Sequence, residues 1–229
     1  MKRSEINALI EDSKRFLATH CVHLPPWAFW SPEDWRRAGP EADEIRDNRL
    51  GWDLTDFGSG DFSRVGLILF TLRNGNATRR ERYPKPYAEK ILIVGEGQVT
   101  PMHFHWRKME DIINRGGGNL IMQLYQGDRR TEDFTDQAVT VSVDGVARTV
   151  EPGGLVCLRP GQSITLMPYV YHKFWGELGG GKVLVGEVSS TNDDQTDNRF
   201  HEPIGRFPEI EEDVPPTHLL AWEYPPAAG

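Results

Sequence analysis

From residue 63 onward the chain consists of short apolar segments rich in Val, Ile and Leu, and Gly, Pro, Asn or Asp interrupts nearly every gap between them. These runs predict strands at 65–72, 90–94, 120–125, 139–143, 155–158, 164–167 and 183–188. Asp144-Gly145, between two apolar runs, predicts a hairpin with a type I′ turn. Many short strands with frequent turns favour an all-β sandwich or barrel over a parallel α/β sheet.

The segments on either side of this β-rich part have a different character. Apolar residues at helical spacing predict a packing helix over 4–18, with Ser4 as its N-cap. The Trp-rich stretch 25–62 is expected to cover one end of a barrel or to form a subunit interface, and stacking on a ligand is the alternative. We therefore expect a single domain over 1–229. Its parts are a helical, aromatic-rich extension (1–62), a β-barrel core (63–200) and a Pro-rich tail (201–229).

The run His103-Phe104-His105, followed by Glu110, offers three metal-binding side chains within eight residues. In an extended strand alternate side chains share a face, so His103 and His105 point the same way and Phe104 points to the other side. Glu110 can reach the same pocket after a short bend. Two imidazoles and a carboxylate suit Mn²⁺, Fe²⁺, Co²⁺, Ni²⁺ or Zn²⁺. The alternative is a pair of surface histidines without a ligand.

The surroundings of these residues favour the metal site. The spacing Gly97-x5-His103-x-His105-x4-Glu110-x6-Gly117 matches the first motif of the cupin superfamily at every fixed position. The segment 98–120, QVTPMHFHWRKMEDIINRGGGNL, resembles the signature of the D-lyxose isomerase family of sugar ketol-isomerases. The resemblance extends over nearly the whole chain, and its specificity rests mainly on residues 97–120.

This resemblance implies a cupin jelly-roll β-barrel and a metal-dependent isomerase. The implied reaction is interconversion of D-lyxose and D-xylulose, with D-mannose and D-fructose as a second pair. Mn²⁺ is the implied metal, and Zn²⁺, Co²⁺, Fe²⁺ and Ni²⁺ are alternatives. A metal held by three histidines and a glutamate can keep positions open for two substrate oxygens.

His172 is the best candidate for a fourth protein ligand, because it follows the predicted strand 164–167. Gly154 and Pro160 fit the opening of the second cupin motif. The next glycine does not have the spacing of the motif, and the asparagine expected after the histidine is absent. The assignment of His172 therefore rests chiefly on the family resemblance. The remaining histidines are weaker candidates that lie beside a helix end or in polar, Pro-flanked segments: His20, His23, His201 and His218.

Aldose–ketose isomerisation needs either a proton moved between adjacent carbons or a metal-assisted hydride shift, and the residues leave both routes open. For the proton route Glu187 is the first candidate for the general base. A carboxylate in a β-branched strand is costly unless it is paired or functional. An edge-strand glutamate that faces water is the alternative. Lys90 is the second catalytic candidate, since a lysine could stabilise an enediolate oxygen.

Three further residues are expected to contact the substrate. Lys108 lies between the predicted ligands His105 and Glu110, although solvation at the surface is the ordinary fate of lysine. The loop 189–199 is dense in hydroxyl, amide and carboxylate groups, as the rim of a sugar site would be. Within it Asp194 and Arg199 are expected to contact sugar hydroxyls.

Composition restricts the partners and the compartment. The formal net charge of −8 and the absence of a basic stripe argue against nucleic acid, and no apolar run is long enough to span a bilayer. The residues after Met1 predict a helix rather than a secretion signal. Cys21 and Cys157 are expected to be reduced and buried. These features predict a cytoplasmic protein and are compatible with a neutral small-molecule substrate, which the family resemblance implies to be a free monosaccharide.

Two other functions remain open on the residues alone. Three histidines and a glutamate also hold Fe²⁺ or Cu²⁺ for reaction with O₂, so a cupin dioxygenase is the second hypothesis. A non-catalytic sugar-binding cupin is the third. Jelly rolls have exposed sheet edges that a second subunit commonly covers, so we expect a homodimer.

Overall fold

The β-rich part of the sequence forms two antiparallel sheets in the computed structural model, which describes residues 1–205 and 209–227. Helices precede the sheets: α1 (Arg3–Thr19), α2 (Pro32–Arg37), α3 (Asp43–Asp47) and short 3₁₀ turns at Pro26–Phe29 and Pro40–Ala42. The strands are β1 (Gly51–Thr55), β2 (Leu67–Arg73), β3 (Tyr87–Val94), β4 (Val99–Phe104), β5 (Glu110–Gly117), β6 (Leu120–Gln126), β7 (Val139–Val143), β8 (Val146–Val150), β9 (Leu155–Leu158), β10 (Ser163–Leu166), β11 (Val170–Gly176), β12 (Val183–Ser190) and β13 (Arg199–Phe200).

The strand order confirms an all-β jelly roll. The larger sheet runs β1-β2-β3-β12-β5-β10-β7-β8, and the smaller one runs β13-β4-β11-β6-β9. Strands distant in sequence are neighbours, so the chain crosses repeatedly between the sheets. Between them lies one apolar core, in which Leu92 and Val185 of the larger sheet meet Leu124 and Phe174 of the smaller one. Each large apolar side chain buried in this way contributes about 1.5–3 kcal/mol.

The predicted hairpin turn is confirmed. Asp144 and Gly145 have φ angles of 52° and 82°, the pair of positive values that a type I′ turn requires. The Asp144 carboxylate also accepts a hydrogen bond from the backbone N–H of Ser163, at 2.7 Å. The turn between β7 and β8 is thereby attached to β10.

The N-terminal extension covers the outer face of the larger sheet rather than one end of the barrel. Ile6 and Ile10 of α1 are fully buried in a second apolar core that includes Phe70 of β2. The Phe70 ring lies 5.0 Å from the ring of Trp27 and 5.0 Å from that of Trp52. Most of the extension's aromatic residues therefore serve packing.

Several predicted boundaries were wrong. The extension itself supplies β1, which pairs with β2, so the sheet begins before residue 63. Lys2, not Ser4, is the N-cap of α1, and the Ser4 hydroxyl donates to Asp213. Both cysteines are free, as expected, but exposed rather than buried. The strands β5 and β11 were not predicted, because polar and charged side chains interrupt their apolar pattern.

The Pro-rich tail returns to the start of the chain. The buried Arg3 guanidinium pairs with Glu212 at 2.6 Å and with Glu223 at 2.5 Å, and Leu220 is buried beside α1. The described part of the tail therefore packs on the body of the protein, and residues 206–208 and 228–229 lie outside the described residues. Among the described residues, no helix combines the length and apolarity needed to cross a membrane.

Phe70→Ala should lower the free energy of unfolding by about 3–5 kcal/mol, because the substitution opens a cavity between β2 and two tryptophan rings. Urea denaturation followed by tryptophan fluorescence measures the change. Tyr87→Ala, at a half-exposed position on β3, is the matched control and should change stability by roughly 0.5 kcal/mol or less. Equal losses in the two variants would contradict the role of the Phe70 contact.

Candidate metal centre

Three histidines meet where β4 and β11 pair. His172 lies directly opposite His103 in the sheet, and His105 follows the end of β4. One nitrogen of each imidazole lies within 4.8 Å of the others, and all three side chains are buried. These three histidines could bind a metal ion.

Backbone carbonyl groups orient all three imidazoles. The Nδ1 atoms of His103, His105 and His172 donate to the carbonyl oxygens of Pro101, Asp197 and Val170, at 2.7, 2.7 and 3.0 Å. A carbonyl can only accept, so Nδ1 carries a proton, and in that tautomer Nε2 is the nitrogen available to a metal. Burial, reinforced by His172 and His105, holds the pKa of His103 well below 6.5. Backbone partners of this kind are the usual supports of metal-binding histidines.

Glu110, the first residue of β5, brings a carboxylate to the imidazoles. Its Oε1 lies 3.0 Å from Nε2 of His172 and 3.4 Å from Nε2 of His105. Burial alone would raise the pKa of Glu110, but the charge of Lys108, at 2.7 Å, outweighs that effect and holds the pKa well below 4.5. Glu110 is therefore ionised.

The arrangement leaves acceptors facing one another. Among residues 1–205 and 209–227, neither Nε2 of His105 nor Oε1 of Glu110 has a hydrogen-bond partner, and both atoms are buried. Unpaired buried polar atoms cost free energy. A divalent cation between the carboxylate and the imidazoles would remove that cost, and the mixed N/O donor set suits such a cation. The residues present thus fit a metal ion.

A chain of alternating charges leads from Glu110 into the cavity. Nζ of Lys108 lies 2.9 Å from Oε1 of Glu187, and Nζ of Lys90 lies 3.3 Å from the same oxygen and 3.9 Å from Asp194. Burial opposes charge on Lys108 and Glu187. The neighbouring opposite charges prevail, so the pKa of Lys108 is raised and that of Glu187 is lowered.

The sheet register explains why these charges meet. Glu187 and Lys90 are directly opposite partners in the pairing of β12 with β3. On its other side β12 pairs with β5, which begins with Glu110. Since β12 lies inside the larger sheet, the alternative of a water-facing edge-strand glutamate is wrong for Glu187.

The histidines and the charged chain line one cavity between the two sheets. Apolar side chains form much of the remaining wall: Phe57, Leu67, Leu69, Leu92, Ile112, Phe174 and Phe200. Further polar side chains complete the lining: Asp53, Thr55, Thr100 and Asn198. The cavity therefore combines a charged side with an apolar side.

Comparison with known proteins agrees with this geometry. The model of the family "D-lyxose isomerase" matches residues 1–224. The chain belongs to the D-lyxose isomerase family. It is 53% identical to a D-lyxose/D-mannose isomerase of Serratia proteamaculans and 51% identical to one of Escherichia coli O157:H7, with 98% of each chain covered in both cases.

A solved structure supports the fold of this family member independently. The ligand-free L-ribose isomerase of Cellulomonas parahominis superposes with a TM-score of 0.62 at 15% identity, covering 92% of this chain and 98% of the other. At this level of identity the likeness concerns the fold alone.

The structure brings together most of the residues that the sequence singled out. The four predicted ligands form one cluster, and Lys90, Lys108, Glu187 and Asp194 line the same cavity. Arg199 is not among the described residues that line it. Its guanidinium lies 3.2 Å from Glu132, outside the cavity. The other described histidines do not join the cluster.

Sequence reasoning missed Asp197, which holds the loop between the ligands. Its carboxylate accepts hydrogen bonds from the backbone N–H groups of Arg107 and Lys108, each at 2.9 Å, while its carbonyl group accepts from His105. Asp197 is buried. Only the polar composition of the loop 189–199 pointed to this segment, and Asp194 and Arg199 were preferred within it.

Asp197→Asn should weaken metal binding by about 10- to 100-fold, the usual effect of losing a residue that supports a ligand. The amide presents a donor to one of the two backbone N–H groups that the carboxylate now holds. Titration of the metal-free protein with Mn²⁺, with free Mn²⁺ followed by EPR, measures the affinity. Asp193→Asn, on the same loop, is the matched control, and equal affinities in the two variants would contradict the anchoring role.

Proposed function

We propose that this protein is a metal-dependent aldose–ketose isomerase that interconverts D-lyxose and D-xylulose and also accepts D-mannose and D-fructose. The observation that carries the proposal is the cavity in which three buried imidazoles and an ionised Glu110 adjoin the Lys108–Glu187–Lys90 chain. The name D-lyxose/D-mannose isomerase, which both close relatives carry, supports the choice of sugars.

His103, His105, His172 and Glu110 would hold the metal, and Mn²⁺ is our first choice because the donors are nitrogen and oxygen without thiolate. When bound, the cation supplies Lewis-acid polarisation of substrate oxygens. The backbone carbonyls behind the histidines keep the three rings in one orientation, so little reorganisation is needed on binding.

Glu187 would move the proton between C1 and C2. The two lysines keep this buried carboxylate ionised and therefore able to accept a proton. Their attraction also makes it a weak base at rest. When Lys90 or Lys108 turns towards the negative charge that develops on a substrate oxygen, Glu187 loses part of that attraction and becomes more basic. The same lysines would thus serve both the base and the enediolate.

The remaining lining would hold the sugar and exclude water. The apolar wall around Phe174 and Phe200 leaves few competing hydrogen-bond partners for the reacting atoms. Asp194, at the end of the charged chain, would accept a hydrogen bond from one sugar hydroxyl, and Lys108 would donate a hydrogen bond to another. Arg199 could do so only after leaving Glu132.

The homodimer and the cytoplasmic location remain predictions. One observation supports the dimer: β8 is an edge strand of the larger sheet, and Val146 to Thr149 are exposed along it. Edge strands with unpaired backbone groups are commonly covered in stable proteins.

The proposal is tested by removing metal with a chelator, restoring Mn²⁺, and following D-lyxose and D-mannose by NMR. We expect D-xylulose and D-fructose to form only after Mn²⁺ is restored. His172→Ala should not regain activity, whereas His201→Ala, whose imidazole stacks on Phe134 away from the cluster, should behave as the wild type. Ketose formation by the stripped wild type would refute metal dependence, and the absence of any conversion with metal bound would refute the isomerase.

Glu187→Gln should reduce turnover by at least about 10²-fold while the protein stays folded and metal-loaded, because general acid–base catalysis contributes on this scale. Glu89→Gln is the matched control and should retain turnover, because Glu89 is a half-buried glutamate of β3 that pairs with Arg73. In D₂O the wild type should incorporate deuterium into the ketose at C1. A near-normal rate for Glu187→Gln would assign the base elsewhere, and a product without deuterium would favour a hydride shift.

A further inference from the structure

One residue that lines the cavity carries a buried hydroxyl with no hydrogen-bond partner within the described residues. Three buried side-chain atoms share this condition across 1–205 and 209–227, and two of them, on His105 and Glu110, belong to the metal centre. The third is Oγ1 of Thr100, a residue only 3% exposed. Since an unsatisfied buried hydroxyl costs about 1–3 kcal/mol, its retention needs a cause.

A bulge in β4 turns Thr100 towards the metal centre. His103 lies opposite His172, and Thr100 lies opposite Phe174, so β4 uses three residues where β11 uses two. In a regular strand residues three apart point to opposite faces. The additional residue of the bulge places Thr100 on the face of His103, and both line the cavity.

The same bulge explains the backbone around the ligand. Pro101 lies between the two positions, and proline is tolerated in a sheet at bulges because it lacks an N–H for the ladder. Its carbonyl oxygen accepts from Nδ1 of His103. One irregularity therefore orients a metal-binding imidazole and places Thr100 in the wall of the same cavity.

The position of Thr100 fits the end of the substrate that does not react. Two residues of β11 separate the partners of His103 and Thr100, which corresponds to about 7 Å along the strand. This is comparable to the length of a pentose. A sugar whose C1 and C2 lie at the metal centre would bring its more distant hydroxyl groups to Thr100.

We infer that Thr100 is a substrate-binding residue whose hydroxyl forms a hydrogen bond with a sugar hydroxyl on a carbon beyond C2. The inference rests on the proposed function for the presence of a sugar in this cavity. Valine has nearly the shape of threonine, so packing alone would be served by valine at this position without a buried polar atom. The hydroxyl thus contributes to recognition rather than to folding.

Kinetics of Thr100→Val and Thr100→Ser test the inference. With D-lyxose we expect kcat/KM to fall about 5- to 100-fold in Thr100→Val, the effect of leaving a buried sugar hydroxyl unpaired, and Thr100→Ser to recover most of it. Thr165→Val is the matched control, because Thr165, on β10, donates its hydroxyl to Asp111 of β5 and does not line the cavity. This substitution should leave kcat/KM unchanged.

Deoxygenated substrates separate a contact from a general disturbance. D-Lyxose lacking the hydroxyl at C3, C4 or C5 is compared in wild type and Thr100→Val. For the sugar that lacks the partner hydroxyl the substitution should have no effect, while the other two should still lose activity. An equal loss of kcat/KM for all sugars, or no loss with D-lyxose, would overturn the inference. The proposed function would still stand in that case, provided that the wild type converts D-lyxose. No conversion by the wild type would refute both.

Thermal unfolding without sugar gives a readout that does not depend on activity. Removing an unsatisfied buried hydroxyl should raise Tm. With metal bound to both proteins, Thr100→Val is therefore expected to have a higher Tm than the wild type, although it binds sugar less well. A lower Tm would show that the hydroxyl is held within the protein and would overturn the inference.

Discussion

The burial of an ionised Glu110 is the constraint on which the rest of the site depends. A carboxylate removed from water must be matched by positive charge, because an unpaired buried charge is far too costly to retain. Lys108 supplies that charge to one oxygen at 2.7 Å, while the other oxygen faces imidazole lone pairs and is left unsatisfied. Lys108 in turn needs Glu187, and Glu187 is shared with Lys90. A single buried carboxylate thus determines both a place for a cation and the charge state of the proposed base.

The jelly roll fixes part of this arrangement because Glu110, Lys90 and Glu187 come from neighbouring strands of the larger sheet. Lys90 and Glu187 are register partners in β3 and β12, so the sheet fixes their separation without the help of a loop. Lys108 comes from the loop after β4, and Asp197 holds that loop through its backbone N–H groups. Sites supported by strands hold their geometry more closely than sites on loops, which suits a reaction that needs a base aligned with two adjacent carbons.

The sequence was sufficient for the features that depend on local spacing. The alternation of His103 and His105, the return of Glu110 and the turn at Asp144-Gly145 were all predicted correctly as local geometry, because each depends on a few consecutive residues. It was insufficient where the cause lies in another strand. β11 was missed because its ligand and lysine side chains disturb the apolar pattern, and Asp197 and Thr100 acquire meaning only through a distant loop contact and a bulge in the ladder. Family resemblance supplied His172, which the incomplete second motif could not.

The unsatisfied atoms share one physical interpretation. His105 Nε2, Glu110 Oε1 and Thr100 Oγ1 each impose a cost on folding that packing does not return. A protein keeps such atoms when a ligand that binds only the folded state satisfies them, since binding then stabilises that state in proportion to the logarithm of ligand concentration. Two kinds of unsatisfied polar group therefore lie at one cavity. The histidines and Glu110 present lone pairs that a cation would satisfy, and Thr100 presents a hydroxyl that an uncharged polar partner would satisfy. A metal ion with a small polyhydroxylated molecule bound beside it satisfies both kinds of group. An apolar substrate beside the same ion would leave the Thr100 hydroxyl unpaired.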